Sequence, residues 1–207
     1  MRTIELDSGG VALAAHLYGA LPADRAAVLV HGRDWDASGW AAFAPSFADA
    51  GVPALAVDLR GYGGSEGVTS EYAPGTPWTP VLDLRAAKSA LRAQGVREIA
   101  LIGCSMGGHA VLASSLEGDA ECVVAVSAPV VPVPGEIGRR VTGRKLYVCA
   151  SDDSAGATPH VLSSFAELQR PKELRVFDGT EHSIAMLRST YGAAVLGAIV
   201  EFVCRRG

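Results

Sequence analysis

The chain has 207 residues, a length that fits one α/β domain spanning residues 1–207. Apolar residues make up 49% and charged residues 19%, ordinary globular usage that excludes a disordered, collagen-like or coiled-coil chain. The balance of 18 Lys and Arg against 22 Asp and Glu gives a formal charge of −4, and basic residues cluster only as Arg139-Arg140, Arg144-Lys145 and Arg205-Arg206, so no nucleic-acid partner is expected.

Taken in chain order, Met1-Arg2-Thr3-Ile4-Glu5-Leu6-Asp7 lacks the apolar core of a signal peptide, and no later stretch reaches the roughly 18 apolar residues of a membrane helix. A cytoplasmic protein without a membrane partner is expected. Thr3–Leu6 and Ala12–Tyr18, joined across Ser8-Gly9-Gly10, form a predicted hairpin. Short, nearly continuous apolar runs follow at Ala26–Val30, Ala54–Val57, Ile99–Ile102, Cys122–Val126 and Leu146–Cys149, the pattern of strands buried on both faces. A further strand is read at Leu174–Phe177. Helical spacing fills the intervals at Trp40–Ala50, Val81–Gln94, Met106–Glu117 and Pro159–Gln169, and again from Ile184 to the end. Because parallel strands need crossover connections that pack on the sheet, this alternation predicts an α/β fold with a mostly parallel, twisted sheet of about eight strands and helices on both faces. Gly61–Pro80 is the one long irregular stretch, and a loop of that length in a compact fold is commonly functional or mobile.

Gly103-Cys104-Ser105-Met106-Gly107 stands directly between a predicted strand and a predicted helix. A strand that turns at once into a helix strains the central serine and exposes its hydroxyl, while flanking glycines remove colliding Cβ atoms. Serine is also a favoured helix N-cap, so the motif needs partners to carry chemistry. A serine nucleophile requires a general base. Of the five histidines, His16 lies in the hairpin, His31 precedes Gly32 where a loop-fixing hydrogen bond is expected, and His109 sits one helical turn past Ser105, pointing away. His182, beyond the last strand, is preferred as base over its nearest competitor, His160 at the start of a helix. Asp152 and Asp153 follow the strand ending at Ala150; Asp153, farther into the loop, is preferred as the acid that orients the imidazole, with Asp152 open. The expected oxyanion donors are the backbone amides of Met106, after the nucleophile, and Arg33, in the loop that Gly32 lets approach closely. Asp34 and Asp36 are read as turn or cap residues. The Arg33 guanidinium has two readings: it pairs with an anionic substrate group, or with Asp34, Asp36 or Glu66. Trp35, Trp40, Tyr72 and Trp78 are candidates both for an apolar pocket and for plain packing. Cys104, Cys122, Cys149 and Cys204 lack metal-ligand spacing and are expected as buried free thiols.

Together, His31-Gly32, Asp58-Leu59-Arg60-Gly61-Tyr62-Gly63-Gly64-Ser65, the motif around Ser105, the Asp153 loop and Glu181-His182 resemble the α/β-hydrolase superfamily, in its small serine-hydrolase and dienelactone-hydrolase-like branch. The resemblance spans nearly the whole chain. It implies a serine hydrolase that cleaves an ester or related acyl bond without cofactor or metal, acting on a small-molecule substrate as a monomer or small homo-oligomer. By the same resemblance, the chain order Ser105, Asp153, His182 is the one the fold implies, Asp58 and Arg60 are expected to be structural, and Ser127–Arg144 is too short for the cap domain many members insert there. A peptidase, thioesterase or perhydrolase with the same residues, and a non-catalytic binding module on the same fold, are the alternative readings.

Overall fold

In a computed structural model, residues 1–73, 76–128 and 140–205 are described; Arg139 and Arg206 of the basic clusters, and parts of the loops at 61–80 and 127–144, lie outside them. The chain opens with β1 (Arg2–Asp7) and β2 (Ala12–Tyr18). Their turn relies on left-handed backbone at Gly9 and Gly10, closed by the Ser8 N–H donating to the Val11 carbonyl at 2.9 Å. β3 (Arg25–Val30), a 3-10 turn (Ala37–Trp40), α1 (Ala44–Asp49), β4 (Ala54–Val57), α2 (Thr79–Ala93), β5 (Glu98–Cys104) and α3 (Met106–Ser114) follow. Next come β6 (Cys122–Val126), β7 (Arg144–Ala150), α4 (Ala157–Glu167), β8 (Lys172–Phe177), α5 (Ala185–Arg188) and α6 (Gly192–Cys204).

Among the described residues, eight strands join one sheet in the order β1-β2-β4-β3-β5-β6-β7-β8, antiparallel at β1-β2 and β2-β4 and parallel from β4 onward. Strand alternation sorts the core into two layers. Val28, Val30, Leu101 and Tyr147 pack with Leu84, Val111 and Val161 of α2, α3 and α4. Ala27, Leu29, Ile102 and Leu146 pack on the opposite face with Phe47, Ile199 and Phe202 of α1 and α6. Trp40 is fully buried in this second layer, which settles its role as packing.

Two helix readings shift. At Trp40, the expected start of a helix, a 3-10 turn (Ala37–Trp40) capped by Asp36 ends, the Asp36 carboxylate accepting the Ser38 N–H at 2.8 Å, and the α-helix starts only at Ala44. The C-terminal helix is two helices, because Ser189 takes an extended backbone and Gly192 sits directly against the Leu187 carbonyl, where any Cβ would collide. The long loop ends at Trp78; Pro80 lies in the first turn of α2, a position that loses no hydrogen bond. Cys104, Cys122 and Cys149 are buried free thiols, while Cys204 is half-buried. Among the described residues no helix is long and apolar enough to cross a membrane.

Candidate active site

The parallel strands share one carboxyl edge, and the loops leaving β3, β5, β7 and β8 there converge. Ser105 sits between β5 and α3 with φ 52° and ψ −118°, a sparsely populated conformation for a residue with a side chain. Its N–H donates to the Val126 carbonyl at 2.8 Å and its carbonyl accepts the His109 N–H at 3.0 Å. The neighbouring glycines make this turn possible: a Cβ on Gly103 would fall on the Gly107 carbonyl, and one on Gly107 would fall on the His31 carbonyl.

His182 Nε2 lies 2.9 Å from Ser105 Oγ, and His182 Nδ1 lies 2.9 Å from each oxygen of the Asp153 carboxylate. An ionised carboxylate only accepts, so Nδ1 carries the proton and Nε2 is left bare toward the serine hydroxyl. Asp153 is buried, 5% exposed, and its Oδ1 also accepts the Ala155 N–H at 2.9 Å. Thr158, which sequence reasoning missed, fixes the loop: its hydroxyl donates to the Ala150 carbonyl at 2.9 Å and accepts the Asp153 N–H at 3.3 Å. Asp152 is exposed, and its N–H donates to the Gly179 carbonyl at 3.0 Å. His160 is exposed on α4. The geometry therefore brings together Ser105, Asp153 and His182.

The His182 loop has its own supports. Tyr191 donates its hydroxyl proton to Glu181 at 2.5 Å, and that bond holds the Glu181 carboxyl below the usual carboxylate range. Ser183, buried with φ 61°, turns the chain directly after the imidazole. A lone serine carries no sequence signal for such a bend.

On the opposite wall, Gly32 faces Ser105 so closely that a Cβ there would stand 3.3 Å from the serine Cβ and 3.1 Å from Ser183 Oγ. The Trp35 N–H closes this loop onto the Gly32 carbonyl at 3.2 Å. Among the described residues, the amides of Arg33 and Met106 have no hydrogen-bond partner. Buried His31 takes the loop-fixing role: Nε2 accepts the Leu59 N–H at 3.1 Å and Nδ1 lies 2.7 Å from the Gly32 carbonyl. Desolvation pushes its pKa down, in keeping with this neutral tautomer. Asp58, also buried, accepts the Ala37 N–H at 2.6 Å and the Gly64 N–H at 2.8 Å, while Arg60 pairs with buried Asp83 at 2.6 Å. Both are structural.

The Arg33 guanidinium pairs with neither Asp34, Asp36 nor Glu66. It grips Glu71 at 2.7 and 3.0 Å, a partner that proximity in sequence does not suggest. Trp35 is partly exposed beneath the Arg188 guanidinium, 4.4 Å from the ring centre. Tyr72 and Trp78 pack with His109, ring centres 4.8 to 5.4 Å apart, rather than standing free at the site.

A sequence model described as the alpha/beta hydrolase family matches residues 27–146. A 2-hydroxy-6-oxononadienedioate/2-hydroxy-6-oxononatrienedioate hydrolase from Paraburkholderia phymatum is 34% identical over 111 residues, 52% of this chain and 37% of that one. The enzyme of the same description from Escherichia coli K12 is 29% identical over 119 residues, 56% of this chain and 40% of that one. The matched part thus spans less than half the length of these relatives. Among solved structures, a predicted CIB-like hydrolase from Thermoplasma acidophilum superposes with a TM-score of 0.79 at 19% identity, covering 98% of this chain and 97% of that one. A Pyrococcus furiosus esterase gives 0.78 at 18% identity, covering 98% and 91%. Est1E from Butyrivibrio proteoclasticus, with ferulic acid bound, gives 0.80 at 16% identity, covering 96% and 97%. These likenesses share the fold.

Proposed function

Because the chain belongs to the alpha/beta hydrolase family, we propose that it is a serine hydrolase that cleaves an ester or related acyl bond of a small molecule through an acyl-enzyme intermediate. The observation that carries this reading is the unbroken chain of 2.9 Å contacts from Ser105 through His182 to Asp153. Ser105 Oγ attacks the acyl carbon as His182 Nε2 takes its proton. The imidazolium so formed keeps its Nδ1–H on Asp153, whose buried negative charge stabilises the cation and fixes the tautomer. Negative charge passes to the carbonyl oxygen, where the Arg33 and Met106 amides are the two donors for it. His182 then protonates the leaving group, the alcohol departs, and the same nitrogen activates the water that releases the acid and restores Ser105. Every proton in this cycle moves through His182.

Fluorophosphonate labelling tests the reading directly. Adduct formation on Ser105 in the wild type, abolished in both Ser105→Ala and His182→Ala, is the expected result; a folded wild type that takes no label would overturn it. The acyl class is separated by rates on p-nitrophenyl esters, acyl thioesters and aminoacyl amides, with esters expected to lead. The names of the curated relatives point to an oxo-dicarboxylate substrate.

A further inference from the structure

We propose that the open edge of β8 is the interface on which two copies of this chain join into a two-fold dimer, continuing the sheet from one molecule into the next. Among the described residues, β8 pairs on one side only, with β7. Lys145 donates its N–H to the Pro171 carbonyl and Ser151 donates its N–H to the Phe177 carbonyl, so the odd-numbered residues of this stretch turn their backbone groups toward β7. By the alternation of a strand, Lys172, Leu174 and Val176 turn theirs outward. The Leu174 carbonyl is met by the Arg175 guanidinium of the same strand, at 3.5 Å. Such an edge is a template for another strand, and proteins normally cover or blunt it. Here it carries no proline within Lys172–Phe177, and exposed apolar side chains lie beside it: Val176 is 49% exposed and Leu162 of α4 is 42% exposed. Leu162 is one turn before Phe165, whose ring lies against Lys172 of the same strand, so it is on the flank of α4 that faces β8.

The charges on β8 select the second copy as occupant and fix its register. In an antiparallel pair about a two-fold axis, one residue faces its own copy and its neighbours face each other in opposite order. An axis at Lys172, Glu173 or Arg175 sets like charges face to face. An axis at Val176 pairs no charged residues with one another. An axis at Leu174 places Glu173 opposite Arg175 of the second copy and Arg175 opposite its Glu173, two favourable cross-strand pairs. The same axis makes Leu174–Leu174 and the two Lys172–Val176 pairs the hydrogen-bonded ones, because these are the residues whose backbone groups face outward. Charge pattern and ladder geometry thus agree on one register. Arg175 now reaches back to Glu173 at 3.1 Å, and Arg205 shares that carboxylate at 2.9 Å, so the pair has only to exchange partners across the axis. The sheet's other edge, β1, has no such solution: axes at Arg2 or Glu5 oppose like charges, an axis at Leu6 faces Glu5 with Asp7, and axes at Thr3 or Ile4 pair no opposite charges.

Sedimentation velocity of the full chain across a micromolar concentration series decides the matter. The wild type is expected as a reversible dimer. Arg175→Glu, which sets Glu173 against the new glutamate on both sides of the axis, should weaken it at least about tenfold. The exchange Glu173→Arg with Arg175→Glu restores complementarity and should restore the dimer, and Val176→Lys should weaken it again; thermal melts confirm that each variant is folded. A wild type that sediments as a monomer throughout, a dimer indifferent to Arg175→Glu, or an exchange that fails to restore association would overturn the proposal.

Discussion

The Arg33 guanidinium holds the Glu71 carboxylate by two hydrogen bonds of 2.7 and 3.0 Å, tying the loop that faces Ser105 to the long loop before α2. Both side chains are exposed, so the pair adds little to stability, but it keeps a positive charge engaged beside the site. Glu71→Gln should free the guanidinium for substrate. The ratio of kcat/KM on an anionic ester to that on a neutral ester of equal size should then rise by about two- to fivefold. The melting temperature should stay unchanged, and the gain should vanish in high salt. An unchanged ratio would show that Arg33 does not meet the substrate's charge.

The strained backbone of Ser105 predicts opposite effects on stability and activity at one position. Ser105→Gly relieves the cost of φ 52° and should stabilise the fold by about 1 kcal/mol in urea titration, while Ser105→Ala, which keeps a Cβ, should leave stability near wild type. Both should lose activity by at least about three orders of magnitude. Asp153→Asn should lower kcat by a comparable factor, about 10⁴, since an amide can present its N–H to Nδ1 and stabilise the wrong tautomer. Normal activity in Asp153→Asn would move the acid's role elsewhere, Asp152 first.

Glycines in this chain separate into those the site needs and those it does not. Gly103→Ala and Gly107→Ala press a methyl group into main-chain carbonyls and should destabilise the fold by about 3 kcal/mol or more. Gly197, within α6, has nothing within 4 Å of the point an added Cβ would occupy, so Gly197→Ala should stabilise the fold by about 0.5 to 1 kcal/mol. Chemical denaturation of the three variants gives the contrast directly.

What sequence reasoning could reach depended on the range over which each feature is encoded. Strands buried on both faces announce themselves as short apolar runs, and the turn at Ser105 is written in five adjacent residues, so both were legible. Asp153 was preferable to Asp152 on loop position, but which of the two turns inward follows from the path after Ala150, held by Thr158. The Glu71 partner of Arg33 joins residues 38 positions apart across an irregular loop, where no periodicity operates. The break in the C-terminal helix was hidden because Gly192 is tolerated within a helical pattern, and only its contact with the Leu187 carbonyl shows that the chain must stop and restart there.

His109 gives the protein a pH-dependent stability separate from its chemistry. The ring is 6% exposed, packed against Tyr72 and Trp78, and its Nε2 has no partner among the described residues. Burial pushes its pKa down from 6.5 to about 4, so the folded protein holds the imidazole neutral where the unfolded chain would protonate it. Between those values the unfolded state binds more protons, and stability must fall as pH falls. The contribution is complete above pH 6.5, declines toward pH 4, and changes no further below that; its ceiling is about 3 kcal/mol. His109→Phe keeps an aromatic ring between Tyr72 and Trp78 without the titrating nitrogen. Its unfolding free energy, measured in urea from pH 7 to pH 4, should fall less steeply than that of the wild type, the two curves diverging below pH 6.5. Parallel curves would mean that the folded protein protonates His109 as readily as the unfolded chain does, with the ring opening to water as it charges.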